Sequence, residues 1–174
     1  MDGQPRGGIM DNIYRDKVRG NKKLELASIM ECTECTCFNL RKAARVVTQI
    51  FDNAMRSINL RATQFTLLAL AYAHGPITVT RLSEEMVADR TTLSRNLNPM
   101  EKSGLIRIEQ GDDRRTRIVI ITESGKRKLE EAYPLWKKAQ LEIKDVMGAD
   151  KWSTLISNSS ELVSLTRLDR GAAN

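Results

Sequence analysis

Apolar residues recur at three- and four-residue steps from Phe38 onward: Phe38, Ala43, Val46, Val47, Ile50, Phe51, Ala54 and Ile58. That period predicts one long amphipathic helix, and its broad stripe calls for burial against more than one partner. A second helix is predicted over Thr63–His74 and stops at Gly75-Pro76, because glycine accepts the left-handed cap and proline cannot continue the turn. Ile77–Val79 reads as a short β-like connection. Thr80–Val87 follows as a short helix with Leu82 and Met86 inward. Asp89 is a good N-cap for another helix over Arg90–Ser103, which Gly104 ends.

The period then changes. Leu105, Ile106 and Ile108 predict one strand, and Ile118, Val119, Ile120 and Ile121 predict another. The polar loop from Gln110 to Thr116 joins them as an antiparallel hairpin with a charged tip. Thr122 can cap a long helix reaching about Met147, with Leu129, Ala132, Trp136, Ala139, Ile143 and Val146 on one face. Pro134 should bend it, and Gly148–Asp150 should break the chain before a last helix bearing Trp152, Leu155, Ile156, Leu162, Val163 and Leu165. Residues 1–30 mix glycine, proline and scattered charge without helical period and read as an extended or disordered tail. The expected fold is mainly α with a small β-hairpin wing, in a single domain over residues 31–174.

A length of 174 residues suits one domain with its own core. Lysine plus arginine number 28 against 22 acidic residues, and the net charge of +6 favours an anionic partner, nucleic acid before an anionic membrane. The longest apolar run, Phe65–Ala73, is too short to span a bilayer, and residues 1–30 show no secretory apolar core. The expectation is a cytoplasmic protein without a membrane partner.

A short helix, tight turn, second helix and hairpin form a winged helix-turn-helix. A helix about 12 Å across with its side chains fits the major groove of duplex DNA, and a basic hairpin tip reaches phosphates or the minor groove. The candidate recognition helix offers Arg90, Thr91, Thr92, Ser94, Arg95 and Asn96, which bond phosphate oxygens and base edges alike. The wing adds Arg114, Arg115 and Arg117. The competing interpretation is a solvated charged surface, and the neighbouring Asp112 and Asp113 weigh on that side.

Residues 61–125 resemble the MarR family of bacterial transcription regulators. The stretch from Asp89 to Leu105 (DRTTLSRNLNPMEKSGL) is similar to the family's recognition helix. Asp112–Ile118 (DDRRTRI) with Ile121–Gly125 (ITESG) is similar to its wing and the start of the next helix. The flanking helices extend the resemblance to about Thr36–Leu168. It implies a homodimer built by helices at about 36–60 and 123–168, with a DNA-binding part at about 61–122. Two winged helices would read a pseudo-palindrome in double-stranded DNA, with half-sites about 10 bp apart. It also implies that Thr91, Thr92, Ser94, Arg95 and Asn96 face the major groove. Arg115 would enter the minor groove, oriented by Asp113. Pro99 departs from this plan, since it frees the carbonyl of Arg95 and should kink the last turns.

The family's usual control is a small aromatic or phenolic effector between the dimer helices and the winged domain. Phe38, Arg41, Phe65, Tyr72, His74 and Trp136 are the candidates to line such a pocket, although aromatics at helical spacing more often form core. Cys32, Cys35 and Cys37 supply only three metal ligands, so neither a metal nor another cofactor is expected. Cys35 and Cys37 instead sit at a helix N-terminus, where the dipole favours a thiolate open to oxidation; plain packing is the competing role. The expected function is therefore an operator-binding repressor released by an aromatic effector or by cysteine oxidation. A cysteine-dependent redox enzyme is the alternative from another class. No phosphate loop, nucleophile elbow or histidine-based metal motif supports an enzyme. A winged helix used only for protein contacts is the third reading.

Overall fold

A computed structural model describes residues 31–113 and 115–171, apart from the side chains of Cys32 and of residues 166–171. The expected tail over residues 1–30 lies outside the described residues. The chain divides into two units between Arg45 and Val46. In the first, a 3-10 turn at Glu31–Glu34 leads into helix α1, Thr36–Ala54, which crosses the division. Asn39 ties the turn to the helix, its Nδ2 donating to the carbonyls of Thr33 at 2.7 Å and Cys35 at 3.0 Å.

In the second unit α1 stops at Ala54, short of the expected Ile58. A 3-10 turn at Arg56–Ile58 and a left-handed Asn59 at φ 53° intervene. Met55 at this corner is fully buried and anchors the bend. Asp52 then starts the next helix from outside it: Oδ1 accepts from the backbone N–H of Ala62 at 2.8 Å and Oδ2 from Arg61 Nη1 at 3.1 Å. Helix α2, Ala62–His74, is apolar almost all round and buries Phe65, Leu67, Leu68 and Ala71, which makes it the central element of the core.

Strand β1 (Ile77–Thr78) precedes helix α3 (Val79–Glu85) and helix α4 (Arg90–Lys102). Strands β2 (Ile106–Gln110) and β3 (Arg117–Ile121) follow, and the antiparallel sheet has the order β1-β3-β2. The expected two-stranded hairpin thus gains a third strand: Ile77 pairs with Val119, while Ile108 faces Val119 from the other side. Backbone pairing also carries β2 and β3 past the apolar positions to the polar pair Gln110–Arg117.

Helix α4 runs unbroken through Pro99 to Lys102. Its end is a Schellman closure: Gly104, at φ 71°, donates to the carbonyl of Glu101 at 2.9 Å and Leu105 to that of Met100 at 2.9 Å. Leu105 is consequently a cap residue rather than the first of the strand. Helix α5 spans Glu123–Met147 with Pro134 inside it, and Gly148 alone separates it from α6, Ala149–Gly171. The break expected over three residues is thus one glycine. Ala132 and Ala139 of α5 are buried, whereas Val146, expected on the same face, is 89% exposed.

The core of the second unit gathers Met55, Leu67, Leu68, Leu82, Leu93, Leu97, Met100 and Val119. Each such side chain contributes about 1.5–3 kcal/mol of burial energy, so the recognition helix, the sheet and α2 are held as one packed block.

Candidate nucleic-acid interface

The helix-turn-helix is built from local bonds. Thr78 Oγ1 caps α3 by accepting from the backbone N–H of Arg81 at 3.1 Å. Its C-terminus closes as α4 does: Val87 donates to the carbonyl of Glu84 at 3.2 Å and Ala88 to that of Ser83 at 3.0 Å. The left-handed position is Val87, at φ 47°. A β-branched residue is strained there.

Asp89 starts α4, with Oδ1 accepting from the backbone N–H of Thr92 at 2.8 Å and Oδ2 from Thr92 Oγ1 at 2.7 Å. These bonds favour the charged form and hold the Asp89 carboxyl below the usual carboxylate range. Leu93, Leu97 and Met100 bury one face of α4 at a spacing of four and three residues. The opposite face therefore points outward. Thr91 and Arg95 are exposed, and Ser94 and Asn96 are half-buried beside them.

Two of the expected contact residues have partners within the protein. The hydroxyl proton of Thr92 goes to Asp89, and Arg90 Nη2 donates to Thr80 Oγ1 of α3 at 3.2 Å. Arg90 thus braces α3 against α4. Arg95 and Asn96 share a hollow of 240 Å³ with Arg61 and Gln64 at the start of α2, residues to which the sequence reading gave no role.

At the wing, Gly111 donates to the carbonyl of Thr116 at 2.9 Å, and Thr116 to that of Asp113 at 2.8 Å. Asp113 was expected to orient the guanidinium of Arg115. Instead its Oδ1 accepts from the backbone N–H of Arg115 at 3.1 Å, which shapes the turn. Arg115 and Arg117 are exposed and enter no ion pair among the described residues, so both present free guanidinium groups. Arg114 lies outside the described residues.

Behind the interface, Thr122 and Gly125 join the wing to α5. Thr122 Oγ1 donates to the carbonyl of Gly104 at 2.6 Å and accepts from the backbone N–H of Gly125 at 3.0 Å. A side chain on Gly125 would overlap the carbonyl of Leu105 and come within 2.8 Å of Ile121 Cγ1. The ITESG stretch is thus a close approach that only glycine permits.

Of the expected pocket residues, Phe65, Tyr72 and Trp136 line one groove of 540 Å³ between α2 and α5. Tyr133, Lys126 and Glu130 line it as well; the three- and four-residue spacing of these positions to Trp136 and to one another was the available signal. His74, at the last position of α2, is exposed and does not line it. Phe38 and Arg41 belong to the first unit, where Lys42 Nζ lies 5.4 Å from the Phe38 ring centre. Cys35 and Cys37 are free and exposed. Among the described residues no helix is long and apolar enough to cross a membrane.

The MarR family model matches residues 60–116, the stretch from two residues before α2 to the residue before β3. A transcriptional regulator of M. tuberculosis, MosR, solved in complex with DNA, is 33% identical with a TM-score of 0.71. The match covers 78% of this chain and 98% of that one. The chain belongs to the MarR family. The organic hydroperoxide resistance transcriptional regulator of Bacillus subtilis (strain 168) is 31% identical over 90 residues, 51% of this chain. The chain spans 61% of the length of that curated relative. Wild-type MarR from E. coli shares the fold at 17% identity, with a TM-score of 0.59 over 81% of this chain and 98% of that one. This MarR-family chain is accordingly a winged helix-turn-helix transcription regulator and not an enzyme. The regulator reading stands above the redox-enzyme and protein-contact readings.

Proposed function

We propose that this regulator binds a pseudo-palindromic operator in double-stranded DNA as a homodimer and represses transcription there. The observation that carries it is the outward face of α4, where Thr91 and Arg95 stand exposed over the buried Leu93, Leu97 and Met100, beside the free guanidinium groups of Arg115 and Arg117. Side chains of that kind bond phosphates and base edges, and the wing arginines supply the salt-sensitive part of the affinity. The 33% identical relative was solved in complex with DNA, which supports DNA as the partner. Exposed Ile156, Leu162, Val163 and Leu165 on α6 supply apolar surface for a second copy.

Release would come from oxidation or from an aromatic effector. For oxidation, a hydroperoxide would convert one thiol, Cys35 or Cys37, to a sulfenic acid and leave as the alcohol. The neighbouring thiol would then displace water to form a disulfide. The free, exposed state of both thiols and the hydroperoxide-resistance name of the B. subtilis relative support this route. For the effector, the aromatic groove between α2 and α5 is the supporting observation. In either case release requires that the oxidised or loaded protein prefer an arrangement that does not fit DNA.

Selection of bound duplexes from a random pool, with reduced and with peroxide-treated protein, tests the proposal. A recovered pseudo-palindrome that disappears on oxidation, and returns in the Cys35→Ser/Cys37→Ser variant treated the same way, supports both parts. Enrichment no greater than for non-specific DNA overturns the operator reading.

A further inference from the structure

We propose that the groove between α2 and α5 takes a hydrophobic organic cation, a quaternary ammonium or phosphonium compound with an apolar body. This deepens the effector reading above and rests on it, but not on the DNA contacts. The groove is 540 Å³, a size suited to a small organic molecule. Its walls are aromatic. Trp136 stacks between Phe65, at 5.6 Å and 19°, and Tyr133, at 5.8 Å and 27°. Tyr72 and Tyr133 are 59% and 52% exposed although both are aromatic. Ring faces attract a cation through their quadrupole, most strongly when the cation is weakly hydrated.

The charges at the rim point the same way. Lys126 is the groove's cation, but its Nζ lies 2.7 Å from Glu123 Oε1, so that charge is already matched. The pair is reciprocal, since Glu123 raises the Lys126 pKa and Lys126 lowers that of Glu123. Glu130, the other charged lining residue, enters no ion pair among the described residues. The groove therefore combines four aromatic rings with one uncompensated carboxylate. An aromatic carboxylate would meet Glu130 as a like charge. Lys126 directly follows Gly125, the residue seated against Leu105 of the winged domain, so a guest here lies next to the joint that holds the wing.

The test is binding without DNA, read by Trp136 fluorescence in a Trp152→Phe background. Tetraphenylphosphonium is compared with tetraphenylborate, which has the same shape and the opposite charge. The expected result is tighter binding of the cation even though the chain carries +6 overall. Glu130→Gln, a surface change that leaves the fold alone, should weaken the cation by about five-fold, the size of one partly solvated charge contact. Lys126→Met frees Glu123 and should strengthen it. Equal or tighter binding of the borate, or cation binding indifferent to Glu130→Gln, overturns the inference. So does an absence of cation binding with Trp136 shielded from iodide quenching, which would show the groove covered by a second copy. Because no DNA is present, failure of the operator reading leaves this result untouched.

Discussion

Adding one methyl group at Gly125 should destabilise the winged domain, although helix propensity argues the opposite. Gly125 sits in the first turn of α5, and alanine there would gain up to about 1 kcal/mol of intrinsic preference. The new Cβ, however, would overlap the carbonyl oxygen of Leu105 and lie 2.8 Å from Ile121 Cγ1. The obstacle is backbone, and it is pinned: the Leu105 carbonyl accepts from the backbone N–H of Thr122 at 3.1 Å, and the Thr122 hydroxyl, shared with the Gly104 carbonyl, lies 3.1 Å from it as well. Overpacking against atoms that cannot rotate away costs roughly 1–3 kcal/mol. The net expectation is a loss of about 1–2 kcal/mol, or roughly 2–8 °C in Tm for a chain of this size. Urea and thermal melts of Gly125→Ala and wild type measure it, and an operator shift assay should show weaker binding because α5 and the wing must separate. Gly148→Ala is the control. No atom lies within 4 Å of its Cβ, and its φ of +78° makes the penalty purely conformational, about 1–2 kcal/mol, with operator binding unchanged. A Gly125→Ala variant as stable as wild type or more so would refute the steric argument.

Three further outcomes are expected. Because Thr92 lowers the folded-state pKa of Asp89, its stabilising contribution is complete above about pH 4 and is lost as pH falls through the depressed value. Asp89→Asn keeps a cap but not the titration, so the Tm gap between it and wild type should be full near neutral pH and close as acid protonates the Asp89 carboxyl in the folded protein; a gap constant with pH contradicts the assignment. Val87→Gly removes a β-branched residue from φ 47° at a 52% exposed site and should leave stability equal or up to about 1 kcal/mol higher, despite glycine's entropy cost; a clear loss in a urea melt would mean that Val87 packs usefully. Arg115→Ala should weaken binding to all duplexes alike and lower the salt slope by about one, whereas Arg95→Ala should also change which duplexes are selected; the same salt titration and selection read both.

Much of the interface was legible because its signals are local. The Asp89 cap and the Gly104 stop each act within one helical turn, so the recognition helix is found to within a residue. The roles of individual polar residues were not legible. Arg90 reads as a DNA contact, and its further bond to Thr80, ten residues away, is seen only in the structure. Asp113 reads as the partner of a guanidinium until the turn brings the Arg115 backbone N–H to it first. In both cases a polar side chain has several possible partners, and spacing alone does not rank them. Tyr133 and Lys126 do not stand out in the sequence because the groove they line forms only when α2 and α5 pack together.

Hydrophobic period and capping chemistry were enough for the order of the elements, the ends of α2, α4 and α5, and the basic wing, since each depends on neighbours within about four residues. Three other features depend on residues far apart in the chain. Ile77, β-like by sequence, joins the sheet only because Val119, forty-two positions later, is free to pair with it. The first helix stops at Ala54 because Met55 is drawn into the core and Asp52 is engaged at the start of α2. Gly125 matters because the carbonyl of Leu105 occupies the space a side chain would need. Short-range chemistry specifies which elements form; contact between distant segments decides where they end, which groups are already bonded and which remain free to meet a ligand.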